Sequence, residues 1–192
     1  MDENLYKSLI GVEFKNAKLL GILDKGVNST IYNGIYKGNE VVFKTVIYNK
    51  EKSFITTLMK KQKNCLYSEQ LIYRNVLIQK SKITNKIPSE HYTPQFFDYI
   101  AMKQHPIFAD YYVDMIVLEK MKKIDKINVN EIESIVYCIL SLFDCMHFSN
   151  VILMDINANS IMKNSDDEFR VVDFGITSTW RKVDRTHVDN DR

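Results

Sequence analysis

The chain has little that would staple or punctuate it. Among 192 residues there are 3 cysteines, 3 prolines, 6 glycines and 1 tryptophan. Cys65, Cys138 and Cys145 are odd in number and unpatterned, which argues against a disulfide framework or a zinc site. Cys138 and Cys145 recur at helical spacing in an apolar segment and read as buried, reduced thiols. No apolar run approaches the ~18 residues a bilayer crossing needs, so no span is expected. The opening Met1-Asp2-Glu3-Asn4 is acidic and lacks an apolar signal core, so a cytoplasmic location is expected. Neither sign of charge dominates, with 26 Lys and Arg against 24 Asp and Glu. That balance gives no footing for nucleic acid or a membrane surface as a partner. The clusters Lys60-Lys61-Gln62-Lys63 and Lys120-Met121-Lys122-Lys123 read as solvated faces. His91 and His105 sit in a stretch punctuated by Pro88, Pro94 and Pro106, without partners at ligand spacing, and read as exposed loop residues.

What the chain does have is 45% apolar residues distributed in short runs, enough for one domain or two small lobes. Residues 5 to 20 read as a short helix or arm covering a lobe. From Gly21 the pattern becomes strand-like: Ile22 to Tyr32 reads strand, turn, strand. Lys37-Gly38-Asn39-Glu40 is a second turn, and Val41-Val42-Phe43-Lys44 a third strand. Residues 54 to 80 carry a helical pattern without Gly or Pro, in which Glu69 and Tyr73 share a face at i, i+4. Phe96 to Ile100 and Met115 to Met121 read as strands, the second running into a charged linker. Asn130 is a candidate N-cap for a helix whose stripe of Ile132, Ile135, Val136, Ile139, Leu140, Leu142, Phe143 and Met146 predicts a mostly buried element.

The most informative stretch comes last. Val151-Ile152-Leu153 leads to Asp155, Ile161-Met162 follows, a polar hairpin covers Lys163 to Glu168, and Phe169 to Val172 delivers Asp173. A hairpin of this kind sets two carboxylates at one edge of a small sheet, where a divalent metal and a phosphate can be held.

Asp173-Phe174-Gly175 downstream of Asp155 resembles the D-F-G and the catalytic-loop aspartate of eukaryotic-type protein kinases. Gly26, Ile31-Tyr32 and Val41-Val42-Phe43-Lys44 resemble, in order and spacing, that family's phosphate-covering loop and its nucleotide-binding lysine. Leu66 to Tyr73 is similar to the corresponding helix of casein-kinase-like and vaccinia-related kinases. The resemblance runs from about Gly21 to Gly175. It implies an α+β fold with an antiparallel β-rich amino-terminal lobe, residues 1–121 including an arm over 1–20. A shortened, mainly helical carboxy-terminal lobe over 122–192 would carry the catalytic loop. Such shortened kinases are similar to those of some large DNA viruses and bacterial effector sets, which would place the chain in a host cytoplasm.

The implied activity is transfer of the ATP γ-phosphate to a Ser or Thr hydroxyl of a protein, with Mg²⁺. Asp155 would orient the acceptor hydroxyl and take its proton, Lys44 would hold the α- and β-phosphates, and Glu69 would anchor Lys44. Asp173 and Ser160 would hold metal. Gly26, Ile31, Val42, Leu118, Glu119, Met121 and Met162 would surround the nucleotide, with backbone groups of Glu119 and Met121 bonding adenine. His147 would be structural. The sequence departs from the family pattern at several points. Asp24 and Ser29 replace flanking glycines, Val42 crowds the adenine ceiling, and Asn157 replaces the lysine that contacts the γ-phosphate. Ser160 replaces a metal-binding asparagine, and Leu153-Met154 replaces His-Arg. These departures keep a second class open, a pseudokinase module that binds and regulates a host kinase or a ubiquitin-pathway protein. A small-molecule phosphotransferase is a weaker third. Because the chain offers few elements to cover the underside of the Ile132 to Met146 helix, a dimer or hetero-complex is expected there.

Overall fold

The computed structural model describes residues 3–26, 29–49, 66, 69–74, 92–102, 104–149, 151–153, 156–175 and 177–179. It is an α+β structure with an antiparallel six-stranded sheet in the order β1-β2-β3-β4-β6-β5. The strands are β1 (Glu13–Phe14), β2 (Ala17–Lys25), β3 (Thr30–Tyr36), β4 (Asn39–Asn49), β5 (Phe96–Met102) and β6 (Tyr111–Glu119). Gly34 is required where β3 crosses β2: a Cβ there would meet the Lys18 carbonyl oxygen at 2.2 Å and the Phe43 ring at 2.6 Å.

Alternation along β4 divides the sheet into two faces. Val41, Phe43 and Ile47 point into one core with Leu19, Tyr32, Val113 and Val117. That core is closed by the helix α1 (Glu3–Lys7), whose Leu5 and Tyr6 are buried, and by Leu9. Val42 and Val46 lie on the other face and pack against a second core that includes Ile116, Leu118, Tyr73, Leu142 and Phe174. The helical residues 69–74, here α2, and the long helix α3 (Ile132–Phe148) contribute to that second core.

The six-stranded sheet ends at Glu119. β7 (Lys122–Lys123) instead joins a three-stranded sheet with β9 (Ile161–Lys163) and β10 (Phe169–Val171), order β10-β9-β7. A further pair, β8 (Val151–Leu153) with β11 (Thr177–Thr179), closes the described chain. Beyond residue 122 the described residues hold one long helix and five short strands, so this part is less helical than expected.

Several local expectations change. The strand expected from Gly21 begins at Ala17, because Ala17 and Leu19 already alternate inward. Asn128, not Asn130, is the cap: its side chain accepts from Asn130 N and its own N–H is bonded by Glu131, opening a 3₁₀ turn (Val129–Glu131) ahead of α3. α3 is not mostly buried. Ile135, Cys138, Leu142 and Met146 face the core, while the opposite stripe is open. His105 is only 2% exposed rather than a free loop residue. Its Nδ1 accepts from the N–H groups of Ile107 and Phe108, and its Nε2 lies 3.3 Å from the Leu5 carbonyl oxygen, so the ring ties the 104–110 loop to α1. His91 and Cys65 lie outside the described residues. Neither Cys138 nor Cys145 is in a disulfide among the described residues, and burial pushes the Cys138 thiol pKa up to about 11. Among the described residues no helix is long and apolar enough to cross a membrane.

Candidate active site: a lysine held between two carboxylates

Three separate segments deliver the site. β4 places Lys44 two residues beyond Val42, on the same face of the sheet. The register sets Ile31 beside Lys44, Lys44 beside Ile116, and Val42 beside Leu118. Ile31, Val42, Lys44 and Leu118 therefore share one face. α2 brings Glu69 up to Lys44, and the chain leaving β10 brings Asp173.

Lys44 Nζ lies 3.0 Å from Glu69 Oε1, 2.8 Å from Glu69 Oε2 and 2.6 Å from Asp173 Oδ1. Only the first and last have hydrogen-bonding geometry; the second is an electrostatic contact. The three side chains are very differently solvated: Glu69 is 1% exposed, Lys44 13% and Asp173 62%. Burial raises the Glu69 pKa, offset only in part by the Lys44 cation. Burial alone would lower that of Lys44, but the two carboxylates outweigh it and the net shift is upward. Burial acts to raise Asp173, yet the ammonium beside it holds its carboxyl below the ordinary range. The site is thus a cation clamped between a dry carboxylate and a wet one.

The backbone around Asp173 fits that arrangement closely. Asp173 has φ +72°, a left-handed conformation that costs a non-glycine residue energy and persists where surroundings enforce it. The Phe174 N–H donates to Glu69 Oε1 at 3.2 Å, and the Gly175 N–H donates to Asp173 Oδ1 at 3.2 Å. A Cβ on Gly175 would sit 3.1 Å from Asp173 Oδ1, 3.6 Å from Lys44 Nζ and 3.8 Å from Glu69 Oε2. Glycine keeps the triad from being crowded by its own turn. Beneath it, Tyr73 meets the Phe174 ring edge-on at 5.0 Å and stacks on Phe96 at 5.7 Å. The Glu69/Tyr73 pairing predicted from i, i+4 spacing is therefore present, with Phe174 as a third member.

The remaining predicted residues are placed as follows. Gly26 closes the β2–β3 turn by donating its N–H to the Ser29 carbonyl at 2.8 Å. Asp24, at a position where the family pattern has glycine, is ion-paired with Lys123 at 2.9 Å. Nothing local to Asp24 signals that pair, since Lys123 is far away in the chain. Glu119 is held to Gln95, its N–H donating to the Gln95 carbonyl and its carboxylate accepting from Gln95 N. Met121 is half-buried in the linker, and the pairing of Lys123 with Met162 brings Met162 under that linker. Ser160 is buried in a second 3₁₀ turn (Ala158–Ser160), where its hydroxyl accepts from Asn157 N at 3.4 Å. Its carbonyl accepts from Val172 N at 2.7 Å, which sets Ser160 next to the strand end that delivers Asp173. Asp155 and Met154 lie outside the described residues. His147 is exposed on the last turn of α3.

A nucleotide triphosphate and a divalent cation suit this donor set. The lysine offers a near-dry cation, and Asp173 offers a carboxylate open to solvent. Among the described residues no three acidic, His or Cys side chains cluster. The lysines of the linker are not a basic patch: Lys120 pairs with Glu40 at 2.8 Å and Lys122 lies 3.7 Å from Asp167. A cavity of about 420 Å³ lined by Tyr92, Ser134, Tyr137, Cys138 and Arg170 contains none of the predicted site residues. No protein-family model matches the chain, and no curated protein matches it.

Proposed function

We propose that the chain is a minimal protein kinase-like phosphotransferase that binds Mg-ATP at the Lys44 face. The observation that carries this reading is the Lys44 ammonium held by Glu69 from α2 and by Asp173 after β10. When bound, ATP supplies the phosphoryl group and Mg²⁺ supplies positive charge against it. Lys44 would keep its pairing with buried Glu69 and could offer its remaining donors to the α- and β-phosphates. Asp173, exposed and held ionised by the ammonium beside it, would hold the cation. Ile31, Val42 and Leu118 would line the base side, with Met162 and the Glu119–Met121 linker beside them. Asp155 orients the acceptor hydroxyl and accepts its proton. Protein hydroxyls are the acceptor class, following the resemblance of the Glu69 helix and the Asp173-Phe174-Gly175 turn.

A second reading has a specific observation in its favour. The Ser160 hydroxyl is turned to its own Asn157 N–H, and Asn157 stands where a phosphate-contacting lysine is expected. This favours a module that binds nucleotide, or a regulatory protein partner, without transfer. Turnover of radiolabelled ATP by the purified chain, compared with Asp173→Ala, separates the two. Label transfer to protein that the substitution abolishes supports the kinase reading. Magnesium-dependent binding without transfer selects a nucleotide-binding module, and neither binding nor transfer refutes the kinase reading and favours a module for a protein partner.

A further inference from the structure

α3 leaves a long apolar stripe open to solvent. Ile132, Val136, Leu140 and Phe143 are each 40% to 61% exposed. They recur at i, i+4, i+8 and i+11, which places them on one side of the helix, opposite Ile135, Cys138, Leu142 and Met146 in the core. His147 continues the stripe at its carboxy end. Glu133 and Asp144 flank one edge, and α3 has no Lys or Arg at all. Ile152 of β8 and Val129 just before the helix are exposed as well. Side chains of this size and contiguity mark an interaction surface on a water-soluble body.

We propose that this stripe is a two-fold interface between two copies of this chain, with their α3 helices packed antiparallel. A two-fold interface must be self-complementary, each patch meeting its own copy. The stripe from Ile132 to His147 has its midpoint between Ile139 and Leu140. An antiparallel pairing about that point sets the small Val136 against the large Phe143 of the second copy, and Leu140 close to the axis. It brings Glu133 beside His147 of the second copy, and Asp144 beside the Ile135–Val136 segment. No carboxylate meets a carboxylate, and the two helix dipoles run head to tail. A parallel pairing would oppose Glu133 to Glu133 and Asp144 to Asp144, which like charges disfavour. With no Lys or Arg on the helix, the stripe offers an acidic partner nothing, whereas its own copy meets it with apolar residues and keeps the carboxylates apart.

The size of the surface sets the strength. A helix of 17 residues is about 25 Å long at ~1.5 Å per residue. One helix face falls near or below the ~800 Å² per partner of a standard interface, so the dimer is concentration-dependent rather than obligate.

Sedimentation equilibrium of the full chain over a roughly hundredfold concentration range tests this. A reversible monomer–dimer equilibrium is expected, and Leu140→Asp raises its dissociation constant by ~100-fold or more, since it buries a charge near the axis. Leu140 is 61% exposed, so the circular dichroism spectrum of the variant stays that of the parent, and its melting midpoint matches the parent's at concentrations where the parent is monomeric. A second measurement covers a variant that folds poorly. Mild oxidation links Leu140→Cys to itself beyond the level of the parent chain, and links Val136→Cys to Phe143→Cys more than either to itself. A chain that stays monomeric throughout overturns the proposal, whether residues 180–192 or a different protein cover the stripe. So does a dimer indifferent to Leu140→Asp, or Val136→Cys linking best to itself.

Discussion

Replacing Lys44 by Met removes the cation while keeping most of the side-chain volume. The damage falls on Glu69, which is 1% exposed and whose nearest cation is Lys44 at 2.8 Å. Breaking a buried pair by removing one partner costs about 3–5 kcal/mol, because the surviving charge stays desolvated. The Asp173 arm adds little, since that carboxylate is 62% exposed and returns to water. At about 2–4 °C per kcal/mol for a chain of this length, the melting midpoint of Lys44→Met falls by roughly 6–20 °C. The loss also depends on pH. Glu69 already has a raised affinity for protons in the folded protein through burial, and loss of Lys44 raises it further. The folded variant then holds a proton that the unfolded chain releases above pH ~4.3. Its stability deficit therefore shrinks as pH falls towards that value and grows as pH rises. Removing the second charge as well, in Lys44→Met/Glu69→Met, restores most of the loss, because an apolar pair needs no compensation. Melting of the parent, the single and the double variants from pH 5 to 8 measures all three effects. A single variant that melts with the parent at every pH, or a double variant whose losses simply add, would refute the coupling of Lys44 to Glu69.

Two further outcomes follow from the same cores. The Tyr73 hydroxyl is buried without a hydrogen-bond partner among the described residues, so Tyr73→Phe keeps the parent's stability or exceeds it, whereas Tyr73→Ala loses about 3–5 kcal/mol by emptying the space between Phe96 and Phe174; chemical denaturation measures both. Burial holds the His105 pKa below its ordinary value, so unfolding takes up a proton as pH drops through ~6.5, and the stability that the neutral ring contributes is lost below it. The melting midpoint falls between pH 7 and 5 more steeply for the parent than for His105→Gln, and equal slopes would contradict this.

The sequence carried the site further than it carried the surroundings. β3, β4 and β6 were legible because their apolar residues alternate or run unbroken between clear turns such as Lys37-Gly38. Glu69 and Tyr73 were legible because helix periodicity puts them on one face. The start of β2 was blurred by exposed Leu20 and Leu23, which hide the inward alternation of Ala17 and Leu19. His105 was misread because what buries it, Leu5 with Phe108, comes mostly from a helix nearly a hundred residues earlier. Local punctuation by Pro106 could not reveal that. The burial of α3 was overestimated because an all-round apolar helix looks the same whether its second face meets its own chain or is left for another molecule. The ion pair of Asp24 with Lys123 was invisible for a similar reason, since it depends on how the β2–β3 turn lies over the linker.

The most direct test of the proposed nucleotide site is thermal unfolding of the purified chain titrated with ATP, with and without Mg²⁺. A ligand that binds only the folded form raises the midpoint as its concentration passes its dissociation constant, by about 2.7 kcal/mol at a hundredfold excess over it. The account predicts a magnesium-dependent rise for the parent chain that is lost in Asp173→Ala, whose exposed carboxylate contributes little to the fold itself. A midpoint indifferent to millimolar Mg-ATP, or a rise of equal size in Asp173→Ala, would contradict it.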